Sequence, residues 1–212
     1  MTDYKTPTRD QHARFLIGFL FRGEMEPGLS ECVERAYLDL SRTLHGVNES
    51  TDSKATKDSA RELVESILAN ATSALRGWPQ VAFDDWHRQS CEEVCTHYRR
   101  GGYKKFYVGQ AQKWINMAMK YALTLAPLGM LEVPAAQSLR SVAHVPLDNY
   151  MMDAFRRFGP PNLGTAWSRI VDYEQYFLYQ QWIRTHFRGS SPLDVEFHLW
   201  NDENKHRRAV SV

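Results

Sequence analysis

The sequence predicts an all-α protein. Apolar residues recur at three- and four-residue spacing along most of the chain, and sustained period-two alternation is absent. Glycine and proline punctuate the helical stretches. With 212 residues, 43% of them hydrophobic, the chain can bury a sizeable core, so one compact unit over 1–212 is expected.

The first strong helical stretch, Leu29 to Leu44, carries Cys32, Val33, Ala36, Tyr37, Leu40 and Leu44 on one side, with Ser30 and Glu34 near its start. Gly46 to Lys57 is polar and reads as a loop without chemistry. From Asp58 to Leu75, residues Leu63, Ile67, Leu68 and Ala71 share a core face, and Gly77-Trp78-Pro79 ends the helix. The next helix runs from about Phe83 to Arg100 and breaks at Gly101-Gly102. A second break at Gly109 precedes the helix Gln110 to Leu125.

Pro127, Gly129, Pro134 and Pro146 make Ala126 to Val145 irregular. Leu147 to Phe158 is helical up to Gly159-Pro160-Pro161. The last long helix spans Trp167 to Phe187, Pro192 opens a short one toward Trp200, and the charged tail after Asn201 is expected to fray.

No run approaches the roughly 18 apolar residues of a membrane span, and MTDYKTPTRDQ lacks the basic-then-apolar pattern of an export signal. A cytoplasmic protein that does not enter membranes is expected. Cys32, Cys91 and Cys95 are an odd set in such a chain and are read as reduced thiols. His87, Cys91 and Cys95 fall on one helical face with His97 close by. Three ligands from one straight helix do not close a tetrahedron, so they are read as packing residues and neither metal nor cofactor is expected.

The formal net charge is +1, but its distribution is uneven. Between Thr96 and Leu131 there is no acidic residue, while His97, Arg99, Arg100, Lys104, Lys105, Lys113 and Lys120 all lie there. Such a segment is either a solvated basic face or a surface for a polyanion. The interleaved Tyr98, Tyr103, Phe106, Tyr107 and Trp114 favour nucleic acid, because cations meet phosphates while rings stack on bases.

Within that segment, Gly109-Gln110-Ala111-Gln112-Lys113 places a glycine turn at a helix start. Free N–H groups there would form an anion site able to hold a DNA phosphate close to Lys113. Further on, His144-Val145-Pro146-Leu147-Asp148 puts an aspartate at the start of a helix, where a carboxylate caps it.

These two motifs, in this order, resemble the helix-hairpin-helix DNA glycosylases, with their Gly-Val-Gly-x-Lys hairpin and Val-Pro-Val-Asp motif. The hairpin is matched by Gly109 to Lys113, with Ala111 where the second glycine is usual, and the second motif by Val145, Pro146, Leu147 and Asp148. The resemblance covers about 98–158, and the long connection between the motifs is similar to the archaeal 8-oxoguanine glycosylase branch. Glycosylases of this kind also serve in bacterial defence against phage.

The resemblance implies a two-lobed helical fold acting on double-stranded DNA as a monomer. Lys113 would be the nucleophile at C1′ and Asp148 would stabilise the developing sugar cation, with strand-nicking lyase activity as a possible companion. The excised base would be 8-oxoguanine-like or a phage-modified base, extruded into a pocket for which Trp114, His144, Tyr150, Trp167, Trp182, Gln112 and Gln180 are candidates. Arg99, Arg100, Lys104, Lys105 and Lys120 would meet the DNA backbone, with Gly109, Gln110, Ala111 and Gln112 at the hairpin. The rival reading is a non-catalytic helical DNA-binding or adaptor domain, which accounts for the basic segment and leaves the Asp148 motif without a role.

Overall fold

A computed structural model of the protein describes residues 8–49 and 52–210, the side chains of 203–210 excepted. All regular structure among the described residues is helical: α1 (Arg9–Leu20), α2 (Leu29–Ser41), α3 (Ser53–Thr72), α4 (Gln80–Arg100), α5 (Val108–Leu125), α6 (Ala136–Val142), α7 (Asn149–Phe155), α8 (Tyr173–His186) and α9 (Pro192–Val210). None of these helices is long and apolar enough to cross a membrane.

Helix α5 is the axis of the molecule. Every residue from Val108 to Met119 is buried, polar ones included, so this helix has no solvent face over its first three turns. Helices α2, α3 and α4 surround it on one side, and α8 and the turn Trp167–Arg169 approach it on another. The core that results is contiguous from Val33 to Leu199, and a smaller cluster joins Ile17 and Phe21 to Ala122 and Leu125.

Several boundaries differ from those expected. Helix α1 has only Ile17 and Gly18 buried, so the apolar periodicity that marks a packed helix is weak there. Helix α3 begins at Ser53, inside the expected loop, because Thr56 turns inward and packs under Gly101. Residues expected to be irregular contain α6. Helix α8 starts at Tyr173 rather than Trp167, since Asp172 caps it through Glu174 N at 3.0 Å. Helix α9 continues through the tail expected to fray.

The connection from α4 to α5 sorts its side chains by chemistry. Tyr98 and Phe106 stack face to face, centroids 4.0 Å apart, and the Tyr103 hydroxyl donates to His45 O at 3.0 Å. Tyr98, Tyr103, Phe106 and Trp114 are therefore core residues rather than rings presented to bases. Arg99, Arg100, Lys104 and Lys105 remain exposed.

Gly109 is fixed by contact. Its N–H donates to Ile170 O at 3.0 Å, and a Cβ there would lie 1.7 Å from Trp167 O. No rotamer relieves an overlap with backbone. Gly109→Ala is therefore expected to destabilise the protein by about 3 kcal/mol or more. Urea denaturation of the two proteins measures it, and a change within experimental scatter would show that the 167–170 turn does not seat on α5 as described.

Candidate active site

The geometry of the site begins with an extended segment that has no neighbouring strand. Residues Ala143 to Leu147 are all buried between α5 and α8, where unpaired backbone groups are costly. Side-chain amides take the place of a strand. Gln180 of α8 accepts from Val145 N at 3.1 Å and donates to Val145 O at 2.8 Å. Gln112 of α5 accepts from Leu147 N at 3.1 Å and donates to Leu147 O at 2.8 Å. Pro146 sits between them and has no N–H to satisfy.

The second clamp decides the chemistry, because each of its members precedes a charged residue. Lys113 and Asp148, 35 positions apart, are brought to 2.5 Å (Nζ to Oδ2). Asp148 is the N-cap of α7 and accepts from Met151 N at 2.8 Å through Oδ1, which leaves Oδ2 for the lysine. Lys113 is 5% exposed and Asp148 is half-buried, so the pair is shielded from salt and water on the lysine side.

A second ion pair lies beside the first. Lys120, two turns further along α5, is 2.7 Å from both carboxylate oxygens of the buried Glu196 on α9, with a hydrogen bond only to Oε1. Burial pushes the Glu196 carboxyl up, although Lys120, and to a lesser extent Lys113, pull the other way. The Phe197 and Trp200 rings cover the Lys120 ammonium, with centroids at 4.6 and 5.7 Å.

On the other side of the extended segment, His144 joins a buried network. His144 Nε2–H donates to Asp84 Oδ1 at 2.8 Å, and Nδ1 accepts from the Tyr176 hydroxyl at 2.9 Å, which in turn accepts from Asn116 Nδ2 at 2.9 Å. Arg184 grips Asp84 with two bonds of 2.8 and 2.6 Å. Burial alone would raise the Asp84 carboxyl, yet the His144 N–H and the Arg184 guanidinium hold it well below the usual carboxylate range. Burial lowers His144 to about 4 against the pull of Asp84, and lowers His87, which contacts the Tyr173 hydroxyl at 2.7 Å.

No protein-family model, curated protein or solved structure matches this chain. The site is therefore read from its own geometry.

Several candidate residues stand elsewhere than the sequence suggests. The N–H groups at the start of α5 are already used: Gly109 bonds Ile170 O, while Gln110 and Ala111 both bond Tyr107 O at 3.0 Å. The expected phosphate cradle at Gly109, Gln110, Ala111 and Gln112 is thus closed, and all four residues are buried. Trp114 is wholly buried with its indole N–H on Val33 O at 3.0 Å, and Trp167 lies under Gly109, so neither lines a pocket. Trp182 packs half-buried on Phe155, Tyr179 and His186. His144 is locked in its network, and Lys120 faces Glu196 rather than a phosphate.

Tyr150 lies in the first turn of α7, two residues beyond Asp148 and 5.8 Å from the ring of Trp200. Four of the surface depressions among the described residues have neither Lys113 nor Asp148 in their lining. Cys91 lies 3.8 Å from His87 Nδ1, and all three thiols are buried and free. Asp84, Asn116, Tyr176, Arg184 and Glu196 also belong to the polar interior, and no local sequence signal distinguishes them from residues of a solvated face.

The histidines give the protein an acid-sensitive interior. His144 titrates near 4 in the fold and near 6.5 when unfolded, so between these values the unfolded chain binds more protons. Its contribution is complete above pH 6.5 and lost as pH falls toward 4, about 3 kcal/mol in all, and His87 acts in the same direction. Urea midpoints are expected to fall steeply across this window, and less steeply in His144→Gln. A flat profile would contradict the buried neutral histidine.

Proposed function

We propose that the protein is a DNA N-glycosylase of the two-lobed helix-hairpin-helix kind, with Lys113 as nucleophile and Asp148 as its electrostatic partner. The observation that carries this reading is the 2.5 Å contact between two residues which the motifs single out independently and which lie 35 positions apart. A lysine and a carboxylate held together against a buried wall suit substitution at a sugar carbon. The free amine forms a bond to C1′ as the C1′–N bond breaks, and the bonding pair leaves with the base, which takes up a proton. Opening of the sugar ring then yields an imine on Nζ, the species from which strand nicking proceeds. Asp148, held by the hydrogen bond from Met151 N, would offset the positive charge that develops on the sugar.

The exposed cations Arg99, Arg100, Lys104 and Lys105 at the α4–α5 connection supply the electrostatic attraction to the DNA backbone. With the α5 N–H groups occupied, side chains rather than backbone carry that contact. Tyr150, two residues beyond Asp148, and Trp200, which is 44% exposed, supply rings on which the extruded base would stack. The base is a modified one, either oxidised guanine or a phage-modified base; mass spectrometry of bases released from each DNA separates the two.

Borohydride trapping on modified-base DNA tests the scheme. Wild-type protein is expected to form a covalent adduct, and Lys113→Gln to reduce it by about 10³-fold or more. An undiminished adduct removes Lys113 from the role. Asp148→Asn is expected to keep DNA affinity within a few-fold while base release falls by about 10²- to 10³-fold. Equal release in the two proteins would remove Asp148 from its role, and no release from either would leave only a helical DNA-binding domain.

A further inference from the structure

Helix α1 carries an apolar stripe that faces away from the protein. Ile17 and Phe21 seat the helix on Ala122 and Leu125 of α5, while Phe15, Leu16, Phe19 and Leu20 are 69, 66, 86 and 40% exposed. Arg9 and His12 precede these four at three- and four-residue spacing and share their outward face. At roughly 150–250 Å² per aromatic ring, the two phenylalanines leave about 300 Å² uncovered and the stripe about 500 Å². Apolar patches of about 300–600 Å² are the largest that a typical monomer exposes, and they commonly bind something.

A groove of matching character lies beside the same end of α5. Its volume is about 910 Å³, and Leu123, Leu131, Val133, Ala136 and Phe197 line it, with Leu128, 51% exposed, among them. Its charged members are Arg140, which Asp194 engages at 2.6 Å, and the exposed Glu132. The stripe therefore offers a cation, Arg9, where the groove offers an anion. Ile17 and Phe21 hold α1 on its own chain with the stripe turned outward, so any α1 that fills the groove comes from elsewhere.

We propose that the occupant is a second copy of this chain, with α1 of each protomer lying in the groove of its partner in a closed two-fold dimer. Helix α1 packs on Ala122 and Leu125 and the groove is lined by Leu123 and Ala126, so the two surfaces are neighbours and one axis can exchange both helices. Area favours the exchange. One helix in one groove buries about 1,000 Å² over both sides, short of the roughly 1,200–2,000 Å² of a stable interface, and two bury about 2,000 Å². Charge disfavours an anionic membrane as the occupant: over residues 9–26, Arg9, Arg14 and Arg22 are balanced by Asp10, Glu24 and Glu26.

Light scattering of the full chain at rising concentration is expected to show a mass that grows from 24.6 kDa toward twice that value, with a micromolar or tighter midpoint. Phe19→Lys on the stripe and Leu128→Lys at the groove, both at exposed positions, are each expected to weaken association by about tenfold or more. Their mixture decides the geometry. A heterodimer of the two keeps one unaltered stripe in one unaltered groove, so the mixture is expected to associate more tightly than either variant alone. A mass of one chain at every concentration overturns the proposal, and growth beyond two chains overturns the exchange. Undiminished dimerisation of Leu128→Lys also overturns it, by placing the contact between the stripes themselves. Wild-type protein that stays monomeric but floats with phosphatidylserine vesicles, and ceases to float as Phe19→Lys, would assign the stripe to a lipid surface instead. Leu16→Lys repeats the stripe test should Phe19→Lys melt early.

Discussion

Five buried residues of extended chain with no strand to pair with would be a liability in most helical proteins, and here the liability is removed by two glutamines. Gln180 and Gln112 each present an amide that both accepts from and donates to one residue of the segment, at Val145 and Leu147. Each imitates a strand neighbour at a single rung. An unpaired buried N–H or C=O costs about 1–3 kcal/mol, so four such groups in a row leave the segment little freedom to shift register. A slip by one residue would place Pro146, which has no N–H, opposite an amide. Register at Leu147 is what puts Asp148 opposite Lys113.

That arrangement requires α5 to be surrounded, which in turn dictates what the rest of the molecule offers a partner. A helix buried on every side cannot lend its N-terminal N–H groups to a phosphate, and the approach of Trp167 O over Gly109 closes that end. Positive charge accordingly appears one step earlier, on the α4–α5 connection. The aromatic residues fold inward there and clamp the turn, while the cations point outward. A basic surface and a buried lysine–aspartate pair thus draw on one stretch of sequence, which sends different chemistries to opposite sides.

The parts of this organisation visible in the sequence are those governed by apolar periodicity. Helices α2, α4 and α5 fall close to their expected limits, because each repeats apolar residues at helical spacing. The pairing of Lys113 with Asp148 was legible as order and motif. Three other features were not. Helix α1 buries too little to leave a pattern. The glycine at position 109 suggested an open turn, when its actual cause is the close passage of another backbone, a long-range contact that no local pattern encodes. Gln112, Lys113, Asn116 and Lys120 look on a helical wheel like a solvated stripe, since periodicity cannot tell a polar face that meets water from one that meets polar groups of the same protein.

The two charged clusters differ in how their carboxylates are held. Around Asp84 the carboxylate is gripped by the Arg184 fork and the His144 N–H, with both His144 nitrogens occupied. The network is dense rather than complete, since Arg184 Nε is buried without a hydrogen-bond partner, and a carboxylate held in this way has low energy only in its charged state. Around Lys113 each carboxylate meets a single ammonium: Asp148 faces Lys113 through Oδ2, and both oxygens of Glu196 lie 2.7 Å from Lys120 Nζ. Truncating one partner of a buried pair costs about 3–5 kcal/mol, so a cluster kept for stability alone would gain from completing its bonds or from replacement by apolar residues. Two buried ion pairs, retained where apolar residues of similar volume would serve stability as well, are a feature in which functional sites are rich.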